Sequence, residues 1–192
     1  MQILVRRIRR PGSRARGWLV LLAAFAAPAL HQGASGQQTC DLGRYPPSAP
    51  TERYVLQDDG TAVDTAARLM WMRCSVGQAW TGATCAGTPR LLDWQAAQLA
   101  AQDINRSGSL FYNDWRLPQI RELALIAERQ CQNPRINLIV FPQTPATFYW
   151  TATARPGDAS GAPAMALSFG PQGLQAADRR TAFHVRLVRS AE

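Results

Sequence analysis

Asn113-Asp114-Trp115-Arg116-Leu117-Pro118, with Glu122-Leu123 just beyond, is the stretch on which the fold turns. Trp115 and Leu117 alternate with Asp114 and Arg116, the pattern of a short extended segment with one apolar side. Pro118 suits the first turn of a helix, because it has no N–H to leave unpaired and its φ is preset. Beyond it, Ile120, Leu123, Ile126 and Ala127 share one face at helical spacing, so the sequence predicts an amphipathic helix over Gln119 to Arg129. Arg116 lies close in sequence to Asp114 and Glu122 and is expected to be partly buried, held by one or both carboxylates. Such a cluster reads either as a binding or catalytic site or as a structural ion pair fixing the helix entry. The structural reading is preferred, since a neighbouring guanidinium lowers a carboxylate's pKa rather than raising it toward general-acid use.

The amino terminus accounts for the basic composition. Six arginines (Arg6, Arg7, Arg9, Arg10, Arg14, Arg16) precede a thirteen-residue apolar run from Trp18 to Leu30. That run is short for a membrane span and right for a signal-peptide core. Ala34-Ser35-Gly36 offers small residues for cleavage, so residues 1–36 are expected to be a signal peptide and Gln37 the mature start. No stable membrane insertion is expected after cleavage. Removing those residues takes away six arginines and no acids, so the formal charge falls from +8 (21 minus 13) to +2 (15 minus 13). No basic stripe with interleaved aromatics remains, which argues against a nucleic-acid partner. The chain contains no lysine; every basic side chain other than histidine is arginine.

All four cysteines, Cys40, Cys74, Cys85 and Cys131, lie in the expected mature chain. An even count in an exported chain points to disulfides, and the protein is expected to be periplasmic or secreted. Three pairings are possible. Cys74–Cys85 is favoured because the two flank a loop with Gly77, Trp80 and Gly82. Cys40–Cys131 would then tie an amino-terminal arm to the end of the Pro118 helix. The spacing is far from that of a zinc knuckle.

Residues 37–52, with Pro46, Pro47 and Pro50, read as an extended arm or linker before a domain spanning 53–190. Asp58-Asp59-Gly60 between Tyr54–Leu56 and Ala62–Val63 predicts a hairpin. Leu69–Met72 reads as a buried strand. Asp93 is a candidate cap for a helix with Trp94, Ala97, Leu99, Ala101 and Ile104 inward, followed by a loop over Asn105–Ser109. Residues 132–147 are turn-rich, with Ile136 and Leu138 to Phe141 over the core. Phe148–Thr151 predicts a strand, Ala154–Gly161 a loop, and Met165 to Phe169 a strand returning through Leu174–Ala176. In the last strand Phe183, Val185 and Leu187 alternate with His184 and Arg186, which places His184 on the outer face. Two early helices and several late antiparallel strands indicate an α+β domain, with helices packed on small antiparallel sheets and disulfides bracing it.

Asp114-Trp-Arg-Leu-Pro118 with Glu122-Leu123, preceded by Leu69-Met-Trp-Met-Arg-Cys74, resembles the Lcl C-terminal domain family. Asn133-Pro134-Arg135-Ile136-Asn137, Phe141-Pro142, Tyr149-Trp150-Thr151-Ala152-Thr153 and Val185-Arg186-Leu187-Val188-Arg189 extend the likeness from about Tyr54 to Arg189. The resemblance implies a C-type-lectin-like fold related to that of formylglycine-generating enzymes. The collagen-like adhesin for which the family is named binds sulfated glycosaminoglycans. Many members carry a cysteine in the last strand where this chain has Leu187, so the implied bridge to the first helix is missing here.

Function is weighed from what remains. His184 is the single histidine of the expected mature chain, no G-x-S-x-G elbow occurs, and disulfide-bonded cysteines are not nucleophiles. Asp114 and Glu122 are candidates for paired-carboxylate chemistry, but a neighbouring Arg116 would lower their pKa values. A calcium–sugar loop of lectin type would need oxygen ligands where Asn133-Pro134-Arg135 places an arginine. An enzyme, a metal and a cofactor are therefore not expected. The expected work is noncovalent recognition of a sulfated or other glycan, or of a surface protein, at the envelope or outside the cell. Arg155, Arg179 and Arg180 are the candidate polyanion contacts. The rival reading is a structural accessory of a surface assembly.

Overall fold

The structure is a computed structural model, and residues 37–108, 111–155 and 162–191 are described. The expected signal peptide and most of the Ala154–Gly161 loop fall outside them. The elements are β1 (Thr39–Cys40), β2 (Tyr54–Leu56), β3 (Thr61–Asp64), β4 (Leu69–Met72), β5 (Ala79–Trp80), β6 (Cys85–Ala86), α1 (Trp94–Ser107), α2 (Ile120–Leu125), β7 (Cys131–Gln132), β8 (Phe148–Ala154), β9 (Ala164–Ser168), β10 (Leu174–Ala177) and β11 (Val188–Ser190). They form an α+β domain with small antiparallel sheets. A four-stranded sheet runs β11-β4-β3-β2 and a three-stranded sheet runs β10-β9-β8; β1 pairs with β7, and β5 with β6.

The β2–β3 hairpin follows from its turn chemistry. Asp59 accepts hydrogen bonds from the Thr61 N–H at 2.9 Å and the Thr61 hydroxyl at 2.7 Å. Gly60 has φ +85°, and a Cβ there would sit 2.5 Å from the Trp80 ring. Glycine is thus required both by the turn and by the packing of the Cys74–Cys85 loop against it.

β4 runs between two apolar clusters. Leu69 and Trp71 join Leu123, Ile126, Ile136, Val140, Phe141, Tyr149 and Phe169 on one side. Met70 and Met72 join Trp115, Leu117, Trp150, Val185, Leu187 and the alanines of α1 on the other. The carboxyl-terminal segment is divided the same way, with Leu187 in the second cluster and Val188 in the first. This two-sided burial corrects the expectation for His184. It is 8% exposed, and Arg186 is wholly buried, because the face opposite Val185 and Leu187 meets protein, not water.

The helices also depart from the sequence reading. Asp93 caps α1, accepting from the Ala96 N–H at 2.7 Å, and the helix continues through the expected loop to Ser107. It ends on Gly108, whose φ is +60°. Ala97, Ala100 and Ala101 form the buried face, while Leu99 is 46% exposed. α2 stops at Leu125, well short of Arg129, and its cap is Gln119, which places Pro118 just outside the helix. The early stop has a cause in the arm. Glu128 accepts from the backbone N–H groups of Ser48 at 3.1 Å, Ala49 at 2.8 Å and Gln130 at 3.0 Å, which draws the chain out of helical geometry. Ile136, Val140 and Phe141 cover the core as expected, but Ile139 points to solvent.

Candidate functional site

Asp114, Trp115, Arg116, Pro118 and Glu122 come together as a corner braced on three sides. The Arg116 N–H donates to the Val188 carbonyl at 2.9 Å and the Val188 N–H returns the bond at 3.0 Å, so the segment is laid along β11. Asn105, from the last turn of α1, donates to the Trp115 carbonyl and accepts from its N–H, both at 2.8 Å. Trp115 is 2% exposed. The Arg116 guanidinium grips Glu122 with two bonds of 2.7 Å, and Glu122 also accepts from the Gln119 N–H at 2.6 Å. Asp114 turns away from Arg116 to accept from Arg189 at 2.6 Å. Burial would raise the pKa of Glu122, but the Arg116 fork and the Gln119 N–H outweigh it and the net shift is downward. An ionised, doubly gripped carboxylate is suited to hold a helix entry, not to donate a proton.

Arginine is used in the same bracing role elsewhere. Arg53 pairs with the fully buried Asp64. Arg73 donates to the carbonyls of Val140 at 2.9 Å and Ile139 at 3.0 Å while lying over the Trp80 ring. Arg186 donates to the carbonyls of Met72 (2.8 Å) and Arg73 and to the Thr144 hydroxyl (2.7 Å), with its charge over the Phe141 ring at 4.8 Å. No carboxylate among the described residues pairs with it. Burial lowers its pKa, while the Tyr149 hydroxyl pulls the other way. Cys40 is bonded to Cys131 and Cys74 to Cys85. The first bridge closes the β1–β7 pair, and the second holds the loop carrying Trp80.

Three groups give the fold a defined acid response. Burial holds the His184 imidazole below its ordinary pKa, against the opposing bond to the Arg90 carbonyl. Glu122 and Glu128 are also lowered; at Glu128 the N–H groups of Gln130, Ala49 and Ser48 overcome burial. In all three cases the unfolded chain binds the proton more readily, so stability rises with pH across each titration. Full stability is expected above about pH 6.5. It should fall first as pH drops from there toward the folded pKa of His184, then again below about pH 4.5 as the glutamates protonate. Urea midpoints measured from pH 8 to 3 check this. His184→Gln should remove the first decline and keep the second, and a wild-type midpoint unchanged between pH 7 and 5 would contradict the burial of His184.

The candidate recognition site lies where α1 begins. Asp93, Trp94, Gln95, Gln98, Arg179 and Arg180 line an open cleft of about 380 Å³. The Trp94 N–H donates to the Arg179 carbonyl at 2.8 Å, and its indole Nε1 donates to the Thr151 carbonyl at 2.8 Å, so the ring is fixed at both ends. The Arg179 guanidinium stacks over that ring at 4.1 Å. Its Nε is buried and has no hydrogen-bond partner among the described residues. The Arg180 side chain is 92% exposed and its guanidinium meets Asp178 at 3.4–3.5 Å, while its backbone N–H donates to Asp178 at 2.8 Å. Arg155, at the exposed end of β8, is not among the lining residues. Sequence reasoning marked Arg179 and Arg180 as a charged loop but missed Trp94 as their platform, because helical spacing assigned that ring to the core. Among the described residues no group of three His, Cys, Asp or Glu side chains is placed to hold a metal ion. Nor is any helix long and apolar enough to cross a membrane.

No curated protein matches the chain. The Lcl C-terminal domain family matches it over residues 60–189, a span that begins at the turn of the β2–β3 hairpin and takes in both helices, the braced corner and the Trp94 cleft. The chain therefore belongs to the Lcl C-terminal domain family.

Proposed function

We propose that the protein is an exported recognition domain of C-type-lectin-like fold that binds an acidic glycan noncovalently in the Trp94–Arg179–Arg180 cleft. The observation that carries this reading is the Arg179 guanidinium, 4.1 Å from the Trp94 ring in an open cleft, beside a second, solvent-facing arginine. A planar arginine offers forked donors to sulfate or carboxylate oxygens. The Gln95 and Gln98 amides on the same wall can meet sugar hydroxyls. Two disulfides are compatible with an oxidising compartment. The expected net charge of +2 for residues 37–192 means that affinity must come from local geometry, not from long-range steering.

The test is binding of residues 37–192 to a sulfated oligosaccharide and to its desulfated counterpart. The sulfated form is expected to bind more tightly. Arg179→Gln should weaken it about tenfold or more, the scale of a lost charge-assisted hydrogen bond, and Arg180→Gln should weaken it less. Equal binding of the two oligosaccharides, or an unchanged affinity in Arg179→Gln, would remove the cleft from consideration.

A further inference from the structure

We infer that the cavity between the amino-terminal arm and the chain around β7 is a second binding site, built for a tetrahedral oxyanion ester, either phosphate or sulfate. The cavity measures about 400 Å³, and Arg44, Arg129 and Arg135 all line it, with Tyr45, Asp41 and Glu128. Five arginines of the described residues are ion-paired: Arg53, Arg106, Arg116, Arg180 and Arg189. The three that line this cavity are not among them, and all three are exposed.

Neither carboxylate on the cavity wall is ion-paired with these arginines among the described residues. Glu128 is turned inward onto the N–H groups of Ser48, Ala49 and Gln130 and the Ser48 hydroxyl. Asp41 accepts from the Gly43 N–H at 3.3 Å. Three arginines therefore line one cavity with two acids that pair with none of them, Arg44 lying 5.5 Å over the Tyr45 ring, and the lining keeps a formal charge of +1 (3 minus 2).

Both walls are fixed. On the arm side, the Asp41 N–H donates to the Gln130 carbonyl at 2.8 Å, the Gln130 amide donates to the Tyr45 carbonyl, and Cys40–Cys131 closes the pair. Across the cavity, the Arg129 N–H donates to the Ser48 hydroxyl at 2.8 Å. The Arg135 N–H donates to the Phe169 carbonyl at 2.6 Å and its carbonyl accepts from the Glu128 N–H at 3.1 Å. Fixed backbones lower the ordering cost of bringing the three side chains onto one anion. A carboxylate has two oxygens to share among three forks, whereas a phosphate or sulfate ester presents three, which favours the tetrahedral class.

This site does not rest on the Trp94 cleft, and the two can fail separately. The experiment is an NMR titration of ¹⁵N-labelled residues 37–192 with glucose 6-phosphate, glucose 6-sulfate and glucose as probes. Saturable shifts at Arg44, Arg129 and Arg135 are expected with the two esters and none with glucose. Arg129→Gln and Arg135→Gln should each weaken ester binding about tenfold with an unchanged thermal midpoint, since both side chains are exposed. The protein discriminates between the esters by charge: the phosphate, whose second pKa is about 6, should bind more tightly at pH 7.5 than at pH 6, while sulfate binding should stay level. Shifts scattered evenly over all surface arginines, or ester binding untouched by both substitutions, would overturn the assignment.

Discussion

Arg186→Met is expected to destabilise the protein by about 3–5 kcal/mol, although it replaces a buried charge with an apolar side chain of similar reach. Arg186 sits with no exposed surface between the two apolar clusters. It donates to Met72, Arg73 and Thr144, and methionine would leave those buried acceptors without a donor. Each orphaned acceptor costs about 1–3 kcal/mol. Set against this is the desolvation of the guanidinium, which methionine would relieve. The bonds are expected to win because the charge is spread over carbonyl dipoles and the Phe141 and Tyr149 rings. Arg186→Lys should also destabilise, since a single ammonium cannot reproduce the planar fork. Urea unfolding with an unchanged m-value gives the measurement. A methionine variant as stable as the wild type would mean that the desolvation cost cancels every bond Arg186 makes.

Removal of the Cys40–Cys131 bridge, as Cys40→Ala/Cys131→Ala, should cost more than removal of Cys74–Cys85. The first closes a separation of 91 residues and the second one of 11. On the chain-entropy model these correspond to about 4.6 and about 2.8 kcal/mol. Against a typical total of about 5–15 kcal/mol, the longer bridge is decisive. Its loss also frees the arm that supplies two N–H donors to Glu128 and buries Ala49 in the first cluster. Thermal or urea unfolding of the two double variants checks the order, and a larger loss from Cys74→Ala/Cys85→Ala would mean that local packing outweighs chain entropy.

Much of the frame was legible from short-range chemistry. Asp58-Asp59-Gly60 announced its hairpin because an aspartate side chain and a glycine suffice to make that turn. The alternation in Met165–Phe169 and the return at Leu174 marked β9 and β10 for the same local reason. What escaped depends on contacts distant in sequence. Alternation locates two faces of a strand but not what covers each, so His184 read as outward although that face is covered by protein. Helical periodicity carried α2 too far because nothing near Glu128 announces Ser48 and Ala49, some eighty positions upstream. Asn105 read as a loop residue, yet its amide is what fastens Trp115. The candidate cleft was half visible, its arginines marked by charge and its indole hidden by amphipathic spacing.

The family's match begins at residue 60, but the arm that finishes the domain lies ahead of that boundary. A fragment trimmed to 60–189 would strand Cys131 as a lone sulfhydryl, strip Asp64 of Arg53, and leave Glu128 without the Ser48 and Ala49 amides. Two such fragments could join through Cys131 into a covalent dimer that the intact chain has no means to form. For this member, the unit to express is set by its cross-links and extends upstream to Cys40 at least.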